Sequence, residues 1–497
     1  MGIIQKQTIK GTIYTYLGVA LGFVNIGLLT PKIFSTDQIG LTNILVAISA
    51  IFAQFASLGV NNVTTRLFPY FRDEKKKNNG YLFILLMVVI IGFLLSLFVF
   101  HFLKPMIISR NIHKSSLIVR YINYLIPLIL FTLIFNVLDV YNKALYDAVL
   151  GTFLKEFVFR ILNFIIIIFF YFNIIDFDNF VLLYVISLST PAVVIIFILI
   201  IRKQFSLKPN LSYIKKNMAK IMISVGLFGI IAGLSGIAII NIDKLMVNDL
   251  LDLKATGIYS ITFFFGSLII IPSRALKKIS STLIADAWKN NDTQIINKIY
   301  YKSSINQFII GSLIFIGIWA NIDNIFRIIL PPEFISGKYV IFFIALANLF
   351  EMISGVSSSI IQTSKKYKYQ TYFMIILVFL VVITNYIFIP IYGIKGAAIA
   401  SAISTFVFVS MRYIFVLRNF KMQPLKINHI FVIIISVVSY FAADIIPLFN
   451  NVFFDIIIRS GIIVIIYGVL IILFKVSDDI NLKLIKNFFK DNFSHKK

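Results

Sequence analysis

Fourteen long apolar stretches constrain the fold of this chain more than any other feature. A mostly apolar segment of about 20 residues can cross the hydrocarbon core of a bilayer as a helix. Because that core holds no water, each span must satisfy its own backbone hydrogen bonds, as a helix does. The sequence therefore predicts an all-α integral membrane protein with 14 transmembrane helices. The stretches lie near residues 10–30, 39–60, 81–103, 118–140, 153–173, 180–201, 219–241, 257–275, 303–320, 338–360, 372–390, 396–417, 428–447 and 456–475.

The distribution of positive charge predicts how the chain is oriented. Loops after even-numbered spans, together with the two tails, hold 33 Lys and Arg residues, whereas connections after odd-numbered spans hold 11. Short basic loops remain on the cytoplasmic side of a membrane. Both termini are therefore predicted to be cytoplasmic, and an even number of spans independently requires the two ends to share a side.

Composition excludes several classes of function. The net charge is +25, but the basic residues lie in short loops between spans rather than on one solvated face, so nucleic acid is not an expected partner. The absence of cysteine excludes disulfides and thiolate metal sites, and the four histidines lack ligand spacing. No cofactor or metal is expected. Without a Walker loop, paired catalytic carboxylates or a triad, the chain is not expected to be an enzyme.

An internal repeat predicts two related lobes. A shift of 217 residues aligns residues 40–42 with residues 257–259, and Phe71-Arg72 with Trp288-Lys289. Six spans separate the copies, which is a known transporter plan with the binding site between two six-helix lobes. The predicted domains are residues 1–203 for the N-lobe with helices 1–6, 204–420 for the C-lobe with helices 7–12, 421–476 for helices 13 and 14, and 477–497 for a cytoplasmic tail.

Three stretches resemble a known family. They are residues 390–400, with the sequence PIYGIKGAAIA; residues 241–244 (NIDK) followed by 257–259 (GIY); and the loop from Gly59 to Glu74. In these stretches the chain resembles the multidrug/oligosaccharidyl-lipid/polysaccharide flippase superfamily, and within it the polysaccharide transporters, which are the O-antigen and capsule flippases. The resemblance covers essentially the whole chain and implies a MATE-like fold.

The resemblance implies a function and a location. It implies a flippase in the bacterial cytoplasmic (inner) membrane that moves a polyprenyl-diphosphate-linked oligosaccharide from the inner to the outer leaflet by alternating access. Such transport serves surface polysaccharide biosynthesis, including lipopolysaccharide O-antigen. Each unpaired hydroxyl dragged into hydrocarbon costs about 2–7 kcal/mol, so the headgroup needs a polar path. The expected partners are this lipid-linked substrate and the bilayer, and a coupling cation, Na⁺ or H⁺, is left open.

Charged residues inside spans are the candidate site residues, because charges at membrane depth usually face a cavity or a partner. Glu351, near the middle of span ten, fits a coupling site, a substrate contact or a structural pair. Arg160 in span five could bind a phosphate through its planar guanidinium or extend to the headgroups. Arg120, Arg274 and Arg412 lie nearer span ends, where extension to the interface or loop anchoring is expected.

Three alternatives remain open for the function. The first is an ion-coupled multidrug or small-molecule antiporter of the same fold, although two helices beyond the usual twelve count against it. The second is a peptidoglycan-precursor flippase, which topology cannot distinguish from a polysaccharide flippase. The third is a membrane-embedded glycosyltransferase or polymerase, which the modest external loops disfavour.

Overall fold

A computed structural model describes residues 3–73, 75–210, 213, 216–328, 330–477 and 479. The described chain consists of helices joined by turns and short loops, with no strand in those ranges. Thirteen of its helices are long and apolar enough to cross a membrane. The predicted tail at 477–497 lies outside the described residues except for Ser477 and Asp479.

The fourteenth helix is the predicted fifth span. Residues 149–171 are continuously helical, with a π-helical stretch at Phe153–Val158, but they carry three charged residues, Lys155, Glu156 and Arg160, close together. The predicted all-α fold with 14 helices is confirmed. We number these helices α1 to α14: Lys10–Ile33, Thr36–Ala56, Lys77–Asn111, Ser116–Ala144, 149–171, Phe177–Ile201, Lys216–Leu250, Leu253–Lys289, Thr293–Ala320, Pro332–Ile353, Lys368–Tyr392, Ile394–Phe420, Ile427–Asp444 and Val452–Leu473.

The chain divides into two compact units, residues 1–261 and 262–497. In the first unit, α2 packs against α3, α4 and α7. The start of α8 meets α2 backbone to backbone, because a Cβ on Gly257 would lie 1.9 Å from the Thr36 carbonyl oxygen and one on Gly40 would lie 2.1 Å from that of Leu253. Small residues allow such close approach, which favours helix association within a bilayer. The lobe boundary predicted at residue 203 remains a prediction.

In the second unit, α12 packs against both α10 and α11. The turn between α11 and α12 depends on Gly393, whose φ of +59° and ψ of −140° suit only glycine. Beyond it, Ala397, Ala398 and Ala400 are fully buried. Helices α13 and α14 pack against each other and against α9. This arrangement places α12 and α9 beside α10, the helix that carries the predicted Glu351.

Helix α10 is interrupted near one end. It stops at Ile353, and a short helix, Ser357–Thr363, follows after a three-residue break. Gly355 within the break has a φ of +55°, a left-handed conformation that glycine adopts at little cost. The break therefore lies directly after the last turn of α10, which carries Glu351, and its residues are buried.

Candidate functional site

The candidate site is a cluster of three charged side chains from three helices of the second unit. Glu351 comes from the last turn of α10, Lys277 from α8 and Arg412 from α12. Ser354 in the α10 break completes it. We call these four residues the Glu351 cluster. Because each charged member comes from a different helix, relative movement of the helices would change their contacts.

Glu351 contacts both cations. Lys277 Nζ donates a hydrogen bond of 2.7 Å to Glu351 Oε1. Arg412 Nη2 donates to Glu351 Oε2, and its Nη1 lies 3.4 Å from Oε1. The same Nη2 donates to Ser354 Oγ at 3.1 Å. Arginine presents its donors in a rigid planar fork that matches a carboxylate or a phosphate, so Arg412 fixes the geometry of the cluster.

The members of the cluster differ in burial. The Arg412 side chain is 2% exposed, whereas those of Glu351 and Lys277 are 23% and 24% exposed. The Arg412 guanidinium also lies over the Phe408 ring, 4.4 Å from its centroid. Its Nε is buried and has no hydrogen-bond partner among the described residues. Arg412 is thus a buried anchor, and the Lys277 side of the cluster is partly open.

The cluster has more positive than negative charge. Two cations face a single carboxylate, so its formal charge is +1. Inside a low-dielectric bundle such a surplus is unfavourable unless an anion offsets it. The arrangement can therefore hold an anionic group, with Lys277 as the donor that can be reached and Arg412 behind it.

Arg412 corrects one expectation from the sequence. Its position near the end of span twelve predicts extension to the membrane interface or loop anchoring, whereas the structure buries the side chain, which is 2% exposed. The residue lies about two helical turns before the end of α12, where the carboxylate of Glu351 and the ring of Phe408 enclose it. A nearby acidic partner on another helix cannot be read from the local sequence.

Lys277 is a site residue that the sequence reasoning missed. The charge count assigns it to a cytoplasmic loop, since span eight is predicted to end near residue 275. In the structure α8 continues to Lys289. Residues 274–289 contain no helix-breaking Gly or Pro, and this was the available signal that the helix continues and that Lys277 lies on one of its faces.

Arg160 occupies a different setting in the first unit. Its Nη2 donates to Glu156 Oε2 at 2.6 Å, one turn earlier on the same helix, and its Nη1 donates to the Gly18 carbonyl of α1. Asn25 donates to the Arg160 carbonyl at 2.8 Å. A Cβ on Gly22 would lie 1.8 Å from Arg160 Nη1, so α1 closely covers the guanidinium. These contacts join α1 to α5.

The other two predicted residues are at exposed positions. Arg120 forms an ion pair with Asp178, and both side chains are exposed. Arg274 is exposed and forms no ion pair with any residue that the structure describes. Of the five candidates, the structure brings together Glu351 and Arg412. No group of metal-ligating side chains occurs in the described part of the chain.

Comparisons with known proteins match the fold. The family model MatE matches residues 237–387. A solved structure of the lipid II flippase MurJ in an inward closed conformation is similar, with a TM-score of 0.72, 16% identity, and coverage of 93% of this chain and 98% of that chain. No curated protein sequence matches the chain.

Transporters of the MATE family are also similar. An inward-facing multidrug resistance MATE transporter of the MOP superfamily matches with a TM-score of 0.62 and 15% identity, covering 82% of this chain and 98% of that chain. An outward-facing structure of such a transporter has a TM-score of 0.56 and 13% identity, with 84% and 96% coverage. At these identities the likeness establishes the fold alone. The chain therefore has a MATE/MurJ-like fold.

Proposed function

We propose that this protein is a flippase that moves a polyprenyl-diphosphate-linked oligosaccharide from the inner to the outer leaflet by alternating access. In this proposal it serves surface polysaccharide biosynthesis in the bacterial cytoplasmic membrane. The observation that carries the proposal is the Glu351 cluster, in which two cations face one carboxylate and one side is partly open. The fold shared with a lipid II flippase over 93% of the chain is consistent with it.

The charge of the cluster suits a diphosphate. A bare diphosphate in hydrocarbon is strongly unfavourable, so its path needs positive charge at intervals. Lys277 is the accessible cation, and Arg412 behind it has a buried donor, Nε, that lacks a partner among the described residues. A phosphate oxygen could replace the Glu351 carboxylate as the partner of Lys277. It would then accept a hydrogen bond from the Lys277 ammonium and be attracted by its positive charge.

Glu351 limits how tightly the cargo binds. When no cargo is present, its carboxylate holds both cations in place at hydrogen-bond distance. When cargo is present, it competes with the phosphate for the same donors and so favours release. A ligand shifts a conformational equilibrium only through its different affinity for the two states. Exchange of Lys277 between carboxylate and phosphate would supply that difference.

A peptidoglycan-precursor flippase is the second candidate. The likeness to the lipid II flippase favours it, because the match extends over nearly all of both chains. Coupling to Na⁺ or H⁺ is compatible with either candidate. A cation that binds Glu351 would release Lys277 for a phosphate, so the coupling cation and the cargo would act on the same residue.

The test is deletion of the gene in its native host, with analysis of the lipid-linked sugars. We expect lipid-linked oligosaccharide to accumulate on the cytosolic leaflet. Accumulation of a peptidoglycan precursor would support the second candidate, and unchanged glycans with lost drug resistance would support the antiporter.

Complementation then tests the site. Glu351→Gln should restore at most about one tenth of wild-type transport, because a hydrogen bond to a charged group contributes about 1.5–3 kcal/mol. The control is Glu333→Gln, which makes the same change at an exposed carboxylate. Normal polysaccharide output by Glu351→Gln, at equal protein abundance, would show that the cluster is not the site.

A further inference from the structure

Helix α13 lies outside the predicted six-helix repeat, and it contributes a buried histidine. His429, in the first turn of α13, is 6% exposed and stacks on Phe308 of α9 with ring centroids 5.9 Å apart. The mechanism proposed above does not use this residue. Its polar contacts lead from α13 to the break in α10.

Three hydrogen bonds form a continuous relay. The backbone N–H of Lys426 donates to His429 Nδ1 at 3.2 Å. His429 Nε2 lies 3.0 Å from Ser304 Oγ, and Ser304 Oγ donates to the carbonyl oxygen of Ile353. Because the serine proton is directed at the carbonyl, Ser304 accepts from His429. The other ring nitrogen, Nδ1, lies 3.2 Å from the backbone nitrogen and 3.3 Å from the carbonyl oxygen of Lys426.

The relay ends at a backbone group that the helix cannot satisfy. Ile353 is the last residue of α10, and carbonyls in the last turn of a helix lack a helical partner. The N–H of Ser357, which would bond Ile353 in a continuous helix, instead bonds the Ser354 carbonyl. Ser304 supplies the missing donor to Ile353.

Close packing holds the break on α9 at the same place. A Cβ added to Gly355 would lie 2.8 Å from Ser303 Oγ and 2.9 Å from the Ser304 backbone nitrogen. Both residues of this region that bond Arg412 come before Gly355, namely Ser354 directly before it and Glu351 one turn before. The position of the break on Ser304 thus decides where both acceptors lie.

We propose that His429 is a positioning residue for the Glu351 cluster. Through Ser304 it holds the α10 break, and this keeps Glu351 and Ser354 within reach of Arg412. The proposal gives α13 a role in organising the site. It rests on the proposed function only for the consequence in transport, since the positioning can be measured without any cargo.

The test measures how accessible the α10 break is. The chain contains no cysteine, so Ser354→Cys introduces a unique thiol that a membrane-permeant maleimide can label in native membranes. His429→Phe keeps an aromatic ring against Phe308 but removes the relay. We expect it to increase the labelling rate about five- to tenfold, as suits the loss of one hydrogen bond in a buried network.

Two further variants separate positioning from general loosening. His429→Gln, which keeps an N–H donor at the reach of Nε2, should return labelling to near the starting rate. Asn428→Ala removes hydrogen bonds to Tyr301 and the Val476 carbonyl from the same turn of α13 and should leave labelling unchanged. If His429→Phe has no effect, or if Asn428→Ala matches it, the proposal is overturned.

Transport by the same His429 variants, made without Ser354→Cys, separates the positioning role from the transport role. We expect His429→Phe to lower transport and His429→Gln to restore it. If labelling responds as expected while transport stays normal, the positioning role stands and the transport role of the Glu351 cluster falls.

Discussion

Two groups of charged side chains in the second unit differ in how completely their charges and hydrogen-bonding groups are paired. Asp455 and Arg459 on α14 are 0% and 5% exposed, and Arg459 Nε donates to Asp455 Oδ2 at 2.7 Å. Arg459 also donates to the carbonyls of Ala443 at 2.8 Å and Ile446 at 2.6 Å, which closes the end of α13. This pair is neutral and enclosed.

The Glu351 cluster has the opposite properties. It is open on the Lys277 side, carries a surplus cation and retains a buried donor on Arg412 without a partner among the described residues. Burial alone therefore does not mark a functional charge within a membrane bundle. An enclosed, neutral pair joins helices, whereas a partly open, unbalanced cluster can exchange partners.

Removing one partner of the enclosed pair should have the largest effect. Arg459→Ala leaves Asp455 as an uncompensated buried charge and should destabilise the protein by about 3–5 kcal/mol. Thermal unfolding in detergent and abundance in membranes measure this. The double variant Asp455→Leu/Arg459→Met, which removes both charges, should recover much of the loss. If Arg459→Ala is as stable as wild type, the pair is not structural.

Lys277→Ala should separate transport from stability. Loss of a charge-assisted hydrogen bond to the cargo should lower transport about 10- to 100-fold, while thermal stability changes by less than about 1 kcal/mol because the residue is partly exposed. The neighbouring exposed Lys278→Ala is the matched control and should transport normally. Equal losses in the two variants would contradict a specific role for Lys277.

Arg160→Ala tests whether an arginine of the first unit only joins two helices, as the enclosed pair does. If its contacts with Glu156 and the Gly18 carbonyl only join α1 to α5, the variant should be destabilised by about 1–3 kcal/mol. The transport rate per folded molecule should remain unchanged, as measured in proteoliposomes at matched protein content. A loss of transport at normal stability would instead favour the phosphate-binding role left open by the sequence.

Asp147 should show the smallest effect, and one that depends on pH. Burial would raise the pKa of this loop carboxyl, but the Arg202 guanidinium and the N–H groups of Leu150 and Val149 outweigh burial and lower it. A lowered pKa in the folded state stabilises the protein above the unfolded value of 3.8, and this stability is lost as pH falls through the folded pKa.

Asp147→Asn should therefore destabilise the protein at neutral pH by less than about 1 kcal/mol. The difference from wild type should shrink as the pH falls below 3.8 and should be lost below the folded pKa. Thermal unfolding in detergent across that range measures it. A difference that stays constant with pH would show that the Asp147 charge is not responsible.

Hydropathy predicted the fold well because the apolar residues of each segment are enough to identify it as a membrane-spanning helix. All fourteen predicted spans correspond to helices, including the fifth with its three charged residues. Glu351 was selected as a candidate site residue because one carboxylate in a long apolar stretch is conspicuous in the sequence. The predicted lobes, orientation and path between lobes remain predictions.

The partners of Glu351 were harder to predict, because they are tertiary contacts. Lys277 and Arg412 lie 74 and 61 residues away in the sequence. His429 reaches Ser304 across 125 residues, and four histidines without regular spacing gave no reason to select it. Local patterns indicate which residues are unusual, whereas only the packing of helices shows which of them meet.

The backbone contact between α2 and the start of α8 limits how the first unit can move. Gly40 and Gly257 leave no side chain between the two main chains, so there is no rotamer that could adjust if one helix slid along the other. Any rearrangement of the first unit should therefore carry these two segments together, with bending at other points of the chain.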